Sequence, residues 1–318
     1  MTTHTVSIMG PLSSHGEVRW TGRLLGDAFP RVSLAEVWRR ARREKVVWHA
    51  HRNNELLVGF FLRLLCRNVK VVFTRHGGGP PSRYTRLLAR WADEVITLNP
   101  ENAGWLGRPS TVIPHGVDLD RFRPPVGGRE AAWARLGLGG AFGIGVVGRI
   151  REPKGQGDFT AAVAPLLGRF PEWRAVLVGL ARGADAAWAD ALKAKTDGAL
   201  LLPGEQRDIV PWYQGLTVLV NPSHGESFGL TLIEGMAAGC CVVASRLSHV
   251  PTLIEHGRTG FLFEPRDVKA LGEIVSRLMA EPAVAQEIGR HAAEEARARF
   301  GIAREAAEIA RVYERALS

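Results

Sequence analysis

The sequence predicts an α/β protein of two doubly wound, Rossmann-like lobes facing a cleft. Three observations predict it. Short β-branched runs alternate with helical segments along the whole chain, as in parallel sheets covered on both faces. The 318 residues are long for one core and comfortable for two, with 46% hydrophobic residues to fill them. The stretch DLDRFRPPVGG at 118–128 interrupts every periodic pattern with two prolines and two glycines, and reads as a linker.

In chain order, the expected strands of the first half are 5–9, 46–49, 70–74, 94–98 and 111–113. Those of the second half are 143–150, 175–179, 200–202, 218–221, 242–244 and 261–263. Thirty-six glycines suit the tight strand-to-helix turns this pattern needs. The tail from 282 to 318 is rich in Ala, Glu and Arg, with Ala306, Ile309, Ala310 and Tyr313 at helical spacing. No internal repeat has a fixed period.

Charge is unevenly spread. The net +9 belongs to residues 1–140, which hold 21 Lys/Arg against 11 Asp/Glu. Its densest run, Arg39, Arg40, Arg42, Arg43 and Lys45, is either a solvated helix face or a patch for phosphate, nucleic acid or an anionic membrane surface. Cys66, Cys240 and Cys241 make a poor disulfide framework and fit a reducing cytosol. No stretch is long and apolar enough to span a bilayer, and MTTHTVSIMG lacks a signal peptide's basic start and cleavage site. Membrane association would therefore be peripheral.

The richest segment is NPSHGESFGLTLIEGMAAGCCVVAS, 221–245, read as a strand end, a polar loop and a helix starting near Phe228 or Gly229. The amides of Phe228, Gly229 and Leu230 would face an anion from the helix N-terminus. Glu226 precedes the helix and Glu234 lies inside it, displaced about 7–8 Å along its axis at ~1.5 Å per residue. Two carboxylates so placed suit a long ligand carrying hydroxyls at both ends of a diphosphate, a nucleotide-sugar. GRIREPKG, 148–155, sets Gly148, Arg149 and Lys154 at the mouth of a strand, where two cations would meet that diphosphate.

Three further segments carry weaker signals. His49 and His51 share one side of a strand, but no third ligand sits at a convincing spacing, so no metal is expected. His51, nearer the strand end, is the better candidate for a sugar contact, with a structural histidine nearly as good a reading. In TRHGGGP, 74–80, Arg75 and His76 read either as a mobile acceptor loop or as a glycine-rich connection. In GPLSSHGEVRW, 10–20, Gly16 would bring its amide to a phosphate if a strand-to-helix turn lies there.

ESFGLTLIE resembles the E(x7)E motif of retaining glycosyltransferases of the GT-B fold, family 4. IPHGVDLDRFRP at 113–124, GRIREPKG, LPGEQRDIVPWY at 202–213 and SHVPTLIEHGRTGFLFEP at 248–265 resemble further family segments in the family's order. The resemblance implies that Arg149 and Lys154 bind the donor pyrophosphate, Glu226 contacts the donor sugar and Glu234 holds the ribose hydroxyls. It implies backbone contacts at Ser227, Phe228, Gly229 and Leu230, a role for His51 near the transferred sugar, and chemistry without metal or other cofactor. It also implies that a helix at 302–318 packs back on the first lobe, giving expected lobes 1–122 with 302–318, and 123–301.

The departures from the family pattern are Ser13, Ser14 and His15 before Gly16, Thr252 where many relatives carry an acid, and a short first lobe between Arg31 and Lys45. GRIREPKG, FPEWRAVLVG and WYQGLTVLVNPSHGESFGLTLIEGMAAG look most like bacterial lipopolysaccharide-core mannosyltransferases. That likeness implies GDP-mannose as donor, a glycolipid or oligosaccharide acceptor, and work at the cytoplasmic membrane face, with a UDP-sugar as the alternative donor. A glycoside hydrolase also uses two carboxylates but has no need of a cationic diphosphate cradle. A nucleic-acid-binding protein would interleave aromatics with its basic run, which this chain does not do, so no nucleic-acid partner is expected.

Overall fold

The computed structural model describes residues 2–22, 29–196, 198–247 and 249–318. The chain divides into two units, Met1–Gly116 with Phe300–Ser318, and Val117–Arg299.

The first unit holds a parallel sheet in the order β1 (Val46–Ala50), β2 (Val69–Arg75), β3 (Glu94–Thr97) and β4 (Thr111–Val112). Its helices are α1 (Thr2–Ser13), α2 (Leu34–Ala41), α3 (Asn53–Leu65), α4 (Arg83–Trp91), α5 (Pro100–Leu106) and the C-terminal α13 (Ile302–Leu317). Ser33, Ser82 and Asn99 start α2, α4 and α5 by accepting the amides of Glu36, Thr85 and Asn102. The alternation along β2 separates two cores. Val71 and Phe73 pack with Leu56, Leu62, Leu88 and Leu106, whereas Val72 faces Ile8, Leu12, Ile96, Ile309 and Val312.

One expected strand is absent. Residues 5–9 lie inside α1, because Ile8 and Leu12, one helical turn apart, seat on Ala306, Ile309 and Ala310 of α13. Packing on that helix overrides the local strand preference of Thr5 and Val6. The other ten strands appear at the expected places, with ends shifted by a few residues.

The second unit carries six parallel strands: β5 (Phe142–Val147), β6 (Trp173–Val178), β7 (Leu200–Gly204), β8 (Leu216–Asn221), β9 (Cys241–Ser245) and β10 (Gly260–Phe263). Their order is β10-β9-β8-β5-β6-β7. Among the described residues its α-helices are α6 (Arg129–Ala134), α7 (Gln156–Leu167), α8 (Ala184–Ala194), α9 (Val210–Gly215), α10 (Leu230–Ala237), α11 (Val268–Ala280) and α12 (Pro282–Arg299). Ile144, Val146, Phe159, Leu177, Val218, Val243 and Leu271 form the centre of its core. Phe122 meets the buried Tyr213 edge to face at 5.7 Å, which places residues 117–122 with this unit, ahead of the expected boundary at 123.

Strand order locates the site. From β5 the chain moves outward through β6 and β7, then returns to the other flank of β5 through β8, β9 and β10. The carboxyl ends of β5 and β8 are thus neighbours whose connections leave in opposite directions. Open parallel sheets bind ligands in the crevice at such a switch point. No helix among the described residues is long and apolar enough to cross a membrane.

Candidate active site

GRIREPKG and NPSHGESFG leave the sheet at this switch point, after β5 and β8 respectively. Gly155 brings the two loops together. Its φ is +71°, and a Cβ there would lie 1.9 Å from the carbonyl oxygen of Pro222. The amide of His224 donates to Pro153 O at 3.0 Å, joining the loops a second time. Gly155→Ala combines left-handed strain with a backbone clash, and is expected to cost roughly 3 kcal/mol or more. A thermal melt checks this, and an unchanged Tm would show that the loops can separate without cost.

The contact between the loops ends in a charged pair. Lys154 Nζ donates to Glu226 Oε2 at 2.7 Å, with the two side chains 25% and 14% exposed. Glu226 Oε1 accepts the amide of Ser227 at 3.0 Å, which turns the carboxylate towards the start of α10. Arg149 stays exposed at the mouth of β5, while Gln156 Nε2 holds its carbonyl at 3.1 Å. A cation fixed by a carboxylate and a second, solvated cation thus stand at one strand end.

α10 begins at Leu230, with Gly229 as its N-cap at φ +87°. Gly229 O is the first acceptor, bonding the amides of Leu232 and Ile233, so the amides of residues 229–231 have no acceptor within the helix. Amides left open at a helix start, beside the cation of Lys154, suit the binding of an anion. Glu234, in the second turn, takes a 2.7 Å hydrogen bond from the hydroxyl of Tyr213 on its Oε2. Burial, then the carboxylate itself, pushes that phenol well above its ordinary pKa, so Tyr213 remains a donor.

The sequence-predicted residues of this half, Gly148, Arg149, Lys154, Glu226, Ser227, Phe228, Gly229, Leu230 and Glu234, all lie on the segments that leave β5 and β8 at the switch point. Three supports went unnoticed in the sequence. Tyr213 anchors Glu234, and buried His249 donates from Nε2 to Phe228 O at 2.7 Å. His224 joins Asp158 at 2.8 Å through Nε2, leaving a buried Nδ1 with no hydrogen-bond partner and Glu152 at 3.8 Å. His224 and His249 stand within or beside the quoted motifs, so their positions were legible although their roles were not. Thr252, in the place of the family's acid, turns its hydroxyl to His249 O at 2.6 Å.

The remaining candidates lie in the first unit, where the carboxyl ends of β1, β2 and β4 deliver His51, His76 and His115. Their rings form a column. His49 and His51 lie 4.4 Å apart, His51 and His76 5.1 Å, His76 and His115 5.3 Å, and His115 and His4 4.0 Å. His49 uses both ring nitrogens, on Tyr313 Oη at 2.6 Å and Thr74 Oγ1 at 2.7 Å, which makes it structural. His51 joins His76 through Nδ1 at 2.8 Å, and its amide donates to Glu55.

Burial holds His49 well below the ordinary histidine value and takes His51 down to about 4 and His76 to about 2. These rings are neutral at pH 7. Buried Glu305 closes the column, accepting from His115 Nδ1 at 2.9 Å, His4 Nε2 at 3.0 Å and the Gly116 amide at 2.7 Å. Burial opposes its charge, but the donors prevail and bring it to about 2. The ligand atoms of His4, His115 and Glu305 lie within 4.8 Å of one another, close enough to share a metal ion. The expectation of no metal rested on sequence neighbours of His49 and His51, and chain spacing cannot reveal this trio.

Two readings in this unit are corrected. Arg75 is buried and spends its guanidinium on Gly77 O and Asn102 Oδ1, at 2.9 and 2.8 Å, and on Gly79 O. It is a strut that fixes the glycine loop, whereas a mobile acceptor loop would need it solvated. Gly16 follows the C-terminal end of helix α1, so the strand-to-helix turn that would aim its amide at a phosphate does not exist. The basic run is also partly spent: Arg40 pairs with Glu17 at 2.7 Å, and Lys45 donates to the carbonyl of Leu317.

Comparisons with known proteins agree with the second unit's geometry. A family described as "Glycosyl transferases group 1" matches residues 141–281. The chain is 40% identical over 287 residues to the lipopolysaccharide core biosynthesis mannosyltransferase LpcC of Rhizobium leguminosarum bv. viciae, spanning 88% of this chain and 81% of that one. The solved C-terminal domain of a glycosyl transferase group 1 family protein (LpcC) from Francisella tularensis is 29% identical with a TM-score of 0.56, over 58% of this chain and 99% of that domain. Anabaena Alr3699/HepE in complex with UDP and glucose, at 22% identity, matches with a TM-score of 0.84 over 98% of this chain and 95% of that one, a likeness in fold of the GT-B type. The chain belongs to the glycosyl transferases group 1 family and is therefore a glycosyltransferase.

Proposed function

We propose that the chain moves mannose from GDP-mannose to a hydroxyl of a lipopolysaccharide-core or related glycolipid acceptor, with retention of configuration and without metal or other cofactor. The observation that carries the reading is the Lys154–Glu226 pair beside the α10 amides at the switch point. Departure of the nucleoside diphosphate is the costly event, because negative charge grows on the leaving phosphate. Arg149, Lys154 and the helix amides stabilise that charge before any metal is needed. Glu226 grips the sugar and Glu234, steadied by Tyr213, the ribose diol. No residue of the site is placed as a covalent nucleophile, so the acceptor attacks from the leaving-group face while the departing phosphate helps take its proton.

The mannose donor and core acceptor are supported by the activity named for the 40% identical relative. A glycolipid acceptor places the work at the cytoplasmic membrane face, with the anionic bilayer as a partner. The test supplies GDP-mannose, UDP-glucose and ADP-glucose with truncated lipopolysaccharide core, with and without EDTA, and follows diphosphate release and product by NMR. GDP-mannose consumption that is indifferent to EDTA, giving an α-linked product, is expected. A β-linkage would end the retaining mechanism, and loss of turnover in EDTA would end metal independence.

A further inference from the structure

Of nine large hydrophobic residues exposed among the described residues, seven lie on α3 and α4. They are ordered. Leu57, Phe61 and Leu64 follow one another at four and three residues along α3, 47%, 60% and 82% exposed, so they project from one face. Tyr84, Leu87 and Trp91 make the same stripe on α4, whose opposite side buries Leu88 and Ala89. The two helices touch through Phe60 and Trp91, with ring centroids 6.1 Å apart, so the stripes belong to one surface. A folded chain rarely leaves so much apolar surface together in water without a use for it.

The charge beside it has one sign. Arg83, Arg86 and Arg90 run along α4 one position before each member of its apolar stripe, all exposed, and none pairs with a carboxylate among the described residues. α4 contains no acid, and the single acid of α3, Glu55, is engaged by the His51 amide. An apolar stripe flanked by unpaired arginines matches the boundary between acyl chains and anionic headgroups, where long side chains keep their charge in the wet layer. A second copy of this chain fits worse, because a two-fold contact would set one arginine row against the other.

We infer that α3 and α4 form a docking surface for an anionic phospholipid bilayer. The inference deepens the glycolipid reading above, since an acceptor embedded in a membrane would meet an enzyme already seated there. It relocates the membrane contact from the run at 39–45, where Arg40 and Lys45 are engaged, to α3 and α4.

The test is co-sedimentation of the full chain with vesicles of phosphatidylcholine alone and with about 30% phosphatidylglycerol. Partitioning at least ~10-fold stronger into the anionic vesicles, weakening with salt, is expected. Leu64→Asp with Trp91→Asp should remove it, and Arg86→Glu with Arg90→Glu should remove the preference for anionic lipid. All four positions are exposed, but Trp91 also packs on Phe60, so the arginine pair should leave the melting temperature unchanged and the Leu64–Trp91 pair should lower it only slightly. A wild-type chain that stays in the supernatant, or reversal of two arginines with no change in lipid preference, would overturn the inference. So would dimerisation in light scattering that Leu64→Asp and Trp91→Asp abolish without any vesicle binding. Nucleoside diphosphate binding by the wild type and by these variants separates the two readings: a wild type that binds vesicles but no nucleotide sinks the donor-site reading and leaves the docking surface standing, whereas variants that lose vesicle binding should keep nucleotide binding.

Discussion

Arg149→Ala is expected to lower kcat/KM for glycosyl transfer by roughly 10²–10³, the loss seen when one preorganised group facing a developing anion is removed. The side chain is exposed and pairs with no carboxylate among the described residues, so stability should change by no more than ~0.5 kcal/mol. Lys154→Ala should cost at least as much activity, because it also leaves Glu226, 14% exposed, without its cation. Steady-state kinetics alongside thermal melts separate the two variants. An Arg149→Ala enzyme within about threefold of wild type would remove the guanidinium from the leaving-group site.

Acid should destabilise the first unit from near pH 6.5 downwards. The signs agree for every group involved. His51 and His76 have folded values of about 4 and 2, below 6.5, so the unfolded chain takes up protons first as pH falls, and the stability these rings contribute is lost below 6.5. Glu305, brought from 4.5 to about 2, contributes stability that is present above 4.5 and is lost as pH falls towards 2. At ~1.4 kcal/mol per unit, His51 alone accounts for roughly 3 kcal/mol by pH 4. Calorimetry from pH 8 to 4 should show Tm falling below 6.5, with a shallower fall in His76→Asn. A flat profile down to pH 5 would mean the histidine column accepts charge where it stands.

What could be read from the chain depended on distance along it. Ten strands were legible because each is a short β-branched run covered on both faces, a purely local pattern. Residues 5–9 carried the same local signal and formed a helix, since Ile8 and Leu12 are placed by α13, some 300 residues away. The placement of the residues proposed to hold the diphosphate was legible for a similar reason. Glu226, Gly229 and Glu234 lie within one strand-loop-helix unit, so their arrangement follows from helix geometry. Tyr213 and His249 stand 21 residues from the groups they hold, and His115 stands 190 from Glu305, so no spacing rule points to them. Arg75 misled because an arginine at a strand end looks the same in sequence whether it meets a ligand or its own loop.

On the proposed reading, the switch point of β5 and β8 binds a nucleoside diphosphate between Arg149, Lys154 and the start of α10. Isothermal titration of the full chain with GDP, repeated on Arg149→Ala and Lys154→Ala, tests it most directly. Saturable one-site binding to the wild type is expected, weakened at least ~10-fold in each variant by loss of a charge-assisted contact worth about 1.5–3 kcal/mol. Equal affinity for GDP in all three proteins would contradict it, because the diphosphate would then be held somewhere else.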